Sequence, residues 1–424
     1  MEGWHLNAQR QNLLLIRGAR CALGPPQTAH AAIEIAGDRI TRIQSSHAGL
    51  SRAKPDCTLI DLSGFLLLPG FVNAHDHLEF ALFPRLGNPP YRNYIEWGDD
   101  IHGRYPDIIA KHRAVPKEIR LWWGGLRNLL CGVTTVSHHN PLFPELQRED
   151  FPVRVVQDYG WGHSLALGGD LRKARAATPA GRPFIVHACE GVDEQARQEL
   201  SGLDRLGVLD DSTVLVHGLA LDQAAIALTR DRRASLIVCP SSNKFLFDKL
   251  PDIPTLSKIE KIALGSDSPL TAEGDLLDEI RFAMRHCGLS ASTAHRMVTT
   301  TPATILRLAN AEGSIKESGL ADLIAIRDTG RHAADRLDTV SMTDVELVIV
   351  GGRVQLAAEA MLERLPFAAT HGLEPLSIDG SIRWLRAPVK ALLQKTEEVL
   401  GRGEVRLGSR KLLIPAGVVA EYVH

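Results

Sequence analysis

A few residues of this sequence could do chemistry together. Residues 66–80 read LLLPGFVNAHDHLEF, an apolar run that ends in His75 and His77, one residue apart. In a strand, residues i and i+2 project to the same face, so both imidazoles point together, and Asp76 points away as a structural partner. Further on, PFIV leads into His187 with Glu190 three residues later, TVLV leads into His217, and KIALGS ends at Asp267. Each alone has a plain reading. A His at a strand end is usually a hydrogen-bonded polar residue, and an Asp ahead of a helical run such as DLLDE is usually a cap. Together, several imidazoles and a carboxylate are what a catalytic zinc or similar divalent ion requires.

Those residues need elements that bring them to one place. Residues 13–62 hold short β-type runs, with a hairpin at Ala-Gly-Asp-Arg, and from about 66 to 310 apolar strands alternate with amphipathic helices. Strands that are apolar throughout, separated by helices, imply a parallel sheet covered on both faces. The pattern predicts an α/β fold: a (β/α)8 TIM-like barrel over 66–310, whose active site lies at the C-terminal strand ends. Only seven strands are clear, because Trp161 to Phe184 shows a helical run and no strand, so strand four is expected to be short or distorted. Short strands resume in ADLIAIRD, VELVIVGGRVQ and VRLGSRKLLI. Residues 1–65 and 311–424 are therefore expected to form one small β-sandwich domain from both termini, with a C-terminal extension.

The bulk numbers narrow the function. Lys+Arg 48 against Asp+Glu 50 gives a formal charge of −2, which excludes an electrostatic footprint for nucleic acid or an anionic membrane. The six cysteines are scattered without a C-x-x-C pair, which argues against a disulfide framework or thiolate zinc site and for a reducing compartment. The N-terminus has only the short apolar run Leu13–Ile16 where a signal peptide needs a longer one, and no stretch reaches membrane-span length. A cytoplasmic protein with a small-molecule substrate is expected. Cys189 and Cys239 fall near the site and are read as packing residues.

The ordered pieces PGFVNAHDHLEF, HACEG, VHGLAL, CPSSNKFLF and LGSDSP, followed by MVTTTPATILRLANAEGSIKESGLADLIAI, resemble the amidohydrolase superfamily over most of the chain. The resemblance implies that His75, His77, His187 and Asp267 bind one divalent metal ion, zinc first, with iron or manganese as alternatives. It places His217 beside the attacking water, as a hydrogen-bond partner or occasional ligand. Two-metal members bridge their ions through a strand-four lysine. Lys173 lies in a helical run instead, so one ion is expected. Glu190 resembles the acid/base glutamate of the branch that includes cytosine and guanine deaminases and triazine chlorohydrolases.

The expected activity is hydrolytic deamination of a cyclic amidine-like ring of nucleobase, pterin or triazine type, with Glu190 protonating a ring nitrogen and Asp267 and His217 serving the water. An amide, lactam or C–Cl hydrolase with the same centre is the first alternative, and a non-catalytic scaffold of the same fold the second. Substrate contacts are sought in Trp97 of the aromatic segment FPRLGNPPYRNYIEWGDDIHGRY, read as a loop over the barrel mouth, and in one of the adjacent His138 and His139. His163 in GWGHSL is the nearest candidate for the His-containing strand four of ring deaminases. A homodimer is what the family's habit suggests.

Overall fold

The computed structural model describes residues 13–24, 27–45 and 57–415. Residues 1–12 of the N-terminal stretch lie outside them. The apolar runs form eight parallel strands: β1 (Phe71–Asp76), β2 (Val133–His138), β3 (Arg154–Val155), β4 (Gly160–Ser164), β5 (Phe184–Ala188), β6 (Thr213–His217), β7 (Ser235–Val238) and β8 (Ile262–Leu264). The first three pair in sequence order and so do the last five. Every residue of β1, β2 and β5–β8 is buried, as expected of strands covered on both faces. β8 also meets β1: Asp267 N donates to His75 O at 3.1 Å. Gly265 permits that approach, since a Cβ there would come within 2.6 Å of His75 Cβ.

Strand four is distorted, as expected, but it forms a five-residue strand where the sequence shows no strand signature. It is present as GWGHS, with a register shift between Gly162 and Ser164. Its two glycines and its histidine break the apolar signature, and a Cβ at Gly162 would come within 2.4 Å of Leu171 Cδ2, so that side chain would have to give way. The shortest strand is the third, only Arg154–Val155.

The aromatic segment is also not the loop expected. It folds into α1 (Tyr94–Arg104) and α2 (Pro106–Arg113). Asn93 caps the first, its side chain accepting from Ile95 N and Glu96 N, and Pro106 starts the second. α3 (Lys117–Leu130) follows, then α4 (Leu171–Ala176) and α5 (Glu194–Arg205), the latter capped by Asp193.

Both ends of the chain build one sheet of thirteen strands. Phe65–Pro69 runs antiparallel to Leu323–Arg327 and parallel to Arg20–Cys21, so this sheet reaches Pro69, beyond the expected barrel start at residue 66. Ile16, Ile33, Ile35 and Ile60 from the N-terminal strands pack with Leu323, Leu347 and Ile349 from the C-terminal ones in a single apolar cluster. The sheet is tied to the parallel strands at Asp322. Its carboxylate pairs with Arg154 at 2.6 Å and accepts from Gly351 N, while its carbonyl accepts from Gly70 N just ahead of β1. Among the described residues, no helix is long and apolar enough to cross a membrane.

Candidate metal centre and active site

The strand ends bring the chemistry-bearing residues together. His75 lies at the end of β1 and His77 directly follows it, His187 lies in β5, His217 ends β6 and Asp267 follows β8. The donor atoms of His75, His77 and His187 all lie within 4.8 Å of one another. His75 Nε2 is 3.3 Å from His187 Nε2. Asp267 Oδ1 sits 3.9 Å from His75 Nε2 and 3.8 Å from His77 Nε2. Asp267 does not cap a helix, because the next one begins at Leu276 with Asp275 as its cap. All of these side chains are buried.

Donor chemistry decides whether they fit a metal. His187 Nδ1 lies 2.9 Å from the carbonyl of His163, which can only accept, so Nδ1 carries the proton and Nε2 a lone pair. That lone pair faces the Nε2 atoms of His75 and His77 and a carboxylate. Burial, then the neighbouring imidazoles, pushes His75 and His187 well below the ordinary histidine pKa, and burial lowers His77 to about 4. Burial alone would raise the Asp267 carboxyl, but His217, His77 and the hydroxyl and amide donors leave it below its ordinary value. Ser268 N donates to Oδ1 at 2.7 Å and Thr271 Oγ1 to Oδ2 at 3.2 Å. Neutral imidazoles around an ionised carboxylate fit a divalent cation.

Behind this cluster the packing is polar. Arg127 pairs with Asp76 at 2.9 Å and also donates to Asp267 O, and Asn73, Asn128 and Ser266 complete the buried network. The amide of Asn140 bridges Glu79 Oε1 at 2.7 Å and His77 Nδ1 at 3.3 Å. Asn140 and Glu79 were not foreseen, although Glu79 sits two residues beyond His77 in the same motif. His138 turns from the cluster toward Glu79, its Nε2 3.7 Å from Oε2. His139 faces the other way, its ring 4.2 Å from that of His187 and its Nε2 3.2 Å from Gly162 O.

In front lies a cavity of about 400 Å³. His77, His187, Glu190, His217 and Asp267 line one end, and Phe80, Phe83, Trp97, Ile101 and Leu270 an apolar wall. His163 lines it too, while His138 and His139 do not. Trp97 Nε1 donates to Leu86 O at 2.9 Å, which leaves its ring as wall. Glu190 Oε1 lies 3.6 Å from His217 Nε2, and burial, then Asp267, raises the Glu190 carboxyl well above its ordinary range. Cys189, His217 and Asp267 have φ of 57°, 75° and 50°, left-handed values that non-glycine residues rarely adopt. Cys239 lies with His217 and Asp267 in a second trio within 4.8 Å, but burial and the nearby carboxylates hold its thiol protonated. Lys173 is exposed on α4, away from the site.

A family model described as the amidohydrolase family matches residues 163–355. The 5-methylthioadenosine/S-adenosylhomocysteine deaminase of Saccharophagus degradans is 33% identical over 326 residues, covering 63% of this chain and 72% of that protein. The zinc complex of atrazine chlorohydrolase from Arthrobacter aurescens TC1 superposes with a TM-score of 0.70 at 18% identity, over 91% of this chain and 100% of that one. A zinc-bound adenosine deaminase from Xanthomonas campestris gives 0.67 at 19% identity, over 92% of this chain and 98% of that one. The fold and the donor set are those of a metal-dependent hydrolase acting on carbon–nitrogen bonds of cyclic substrates. The chain belongs to the amidohydrolase family.

Proposed function

We propose that the chain is a mononuclear zinc deaminase that replaces the amino group of a cyclic amidine, most favourably an adenosine-type ring, with oxygen. Residues 70–310 act as a (β/α)8 barrel and the two terminal segments as its flanking β-domain. His75, His77, His187 and Asp267 would hold the ion, which when bound supplies the Lewis acidity that makes water nucleophilic near neutral pH. The exposed Lys173 supports a single ion, since among the described residues no lysine lines the cavity at the cluster. His139 backs the His187 ring.

The observation that carries the reaction type is Glu190, a buried carboxyl whose hold on a proton burial strengthens, at the end of the cavity that the histidines line. A ring carbon in a C=N bond resists addition until its nitrogen is protonated, and Glu190 donates that proton. His217 and Asp267 orient the attacking water, and Asp267 accepts its proton. The carbon becomes tetrahedral. Return of the Asp267 proton to the amino group and passage of the hydroxyl proton to the Glu190 carboxylate let the C–N bond break, releasing ammonia, leaving a ring carbonyl and restoring both carboxyl groups. Tyr94 and Trp97 supply flat apolar surface beside the reacting ring. The relative named for 5-methylthioadenosine and S-adenosylhomocysteine supports a purine bearing a substituted sugar, which the apolar wall can cover.

Ammonia release from 5′-methylthioadenosine, S-adenosylhomocysteine, adenosine, guanine, cytosine and an aminotriazine tests the reading. At least one purine nucleoside should turn over, and Glu190→Gln should keep its metal while kcat drops by about 10³-fold. Chloride or amine release without ammonia would move the assignment to the alternative hydrolases. A fully active Glu190→Gln would remove the proton-donor role.

A further inference from the structure

Glu199 has no part in the reaction above, yet its carboxylate is buried, 3% exposed, directly behind the turn that carries Glu190. Oε2 accepts from Cys189 N at 2.6 Å, and the Glu190 N–H is directed at the same carboxylate. Oε1 receives Tyr94 Oη at 3.0 Å. Tyr94 opens α1, lines the cavity and lies 2.8 Å from Ser164 Oγ at the end of β4. The cap helix, the fourth strand and the Glu190 turn therefore meet at one side chain.

The turn has a physical need for that acceptor. Cys189 is held at a left-handed φ of 57°, and its N–H is buried. Without a carboxylate behind it, this N–H loses its partner and the turn is free to relax to an ordinary backbone angle. The outward side of the turn is already held, with Ala220 N donating to Cys189 O at 2.9 Å and Gly218 N to Ala188 O at 3.1 Å. Relaxation would thus displace the Glu190 side chain more than the sheet. Proton transfer tolerates little misplacement of the donor. The chain before α1 is laced to the same turn, because Val192 N donates to Arg92 O at 2.7 Å and Asn93 Nδ2 to Asp193 at 2.6 Å.

We propose that Glu199 is the positioning residue for Glu190, fixing it through the Cys189–Glu190 backbone and tying it through Tyr94 to the cap helix over the substrate. This rests on Glu190 being the proton donor. A residue that acts through Glu190 loses its effect once the Glu190 carboxyl is gone, whereas one that only supports the fold does not.

The experiment is steady-state kinetics, with the purine nucleoside that releases ammonia fastest, on Glu199→Ala and Glu199→Gln in the parent and in Glu190→Gln. Metal content is measured on each protein. Glu199→Ala should lower kcat by about 30–100-fold, with KM within about threefold and the metal retained. Glu199→Gln should recover to within about fivefold, because its amide oxygen can still accept from Cys189 N. In Glu190→Gln, adding Glu199→Ala should change kcat by less than about twofold. An equal loss on both backgrounds, or full activity of Glu199→Ala, overturns the assignment. If Glu199→Ala does not fold, Tyr94→Phe serves the same comparison, since it removes one partner and leaves no orphaned N–H. A loss of about 3–10-fold confined to the parent supports the role and an equal loss on both backgrounds overturns it. A fully active Glu190→Gln would instead refute the proton-donor reading, and that outcome is visible before Glu199 is altered.

Discussion

At His187 one carbonyl decides what the ring can do. His163 O takes the Nδ1 proton, so Nε2 is committed as a donor of electrons toward His75 and His77. His187→Ala removes that donor from a buried cluster. Its affinity for a divalent ion should fall by more than the roughly 10–100-fold that losing an outer hydrogen bond costs. Competition against a chelator, followed by metal analysis, measures this, and a variant with parental affinity would exclude His187 from the ligand set. The histidines and Asp267 could be read from sequence because each follows an apolar run that had to be a strand, and strand ends converge. Glu199 left a fainter trace. It shares the helical spacing of Ala196, Leu200 and Leu203, and a carboxylate inside an apolar stripe means a buried partner.

Elements hold these side chains through buried carboxyls at their joints. Glu279, in the helix Leu276–His286, accepts from Ser241 N at 2.9 Å and from the Ser241 hydroxyl, and so braces the start of the helix after β7. Burial raises its pKa to about 8. The folded chain then keeps a proton that the unfolded chain gives up near pH 4.5, so this stabilisation is complete below that value and drains away as pH rises to about 8. Glu279→Gln should therefore gain in Tm relative to the parent from about pH 5 to about pH 8.5, as followed by thermal unfolding across pH. A constant difference across that range would show that Glu279 does not titrate. Strand four and the cap were harder to read than this helix. GWGHS is a strand whose glycines answer to neighbours, not to periodicity, and the segment before Tyr94 is dense in Pro, Gly and Asn, which read as loop until Asn93 is seen capping a helix.

For the molecule as a whole, the two ends of the chain and the parallel strands are fastened at Asp322, which holds Arg154, Gly351 N and Gly70 N at once. Asp322→Ala strands the Arg154 charge and removes an acceptor at a buried joint. It should lower unfolding stability by about 2–4 kcal/mol in denaturant titration, with the metal site unaltered. A cost below about 0.5 kcal/mol would mean that the two parts stand independently. The pairing of the termini was legible because both read as short strands flanking an α/β core. That Phe65–Pro69 belongs with them was not, since a fully apolar strand looks the same in either sheet. The left-handed backbones of Cys189, His217 and Asp267 carry a last consequence. All three sit at the strand-end rim that carries the candidate site, and strain of about 1–3 kcal/mol at each is met by the packed strands beneath. Mutational tolerance is then unevenly distributed, because any loss in the strands erodes the reserve that keeps the rim in shape. Selection for a new substrate would start best from variants whose strands have first been made more stable.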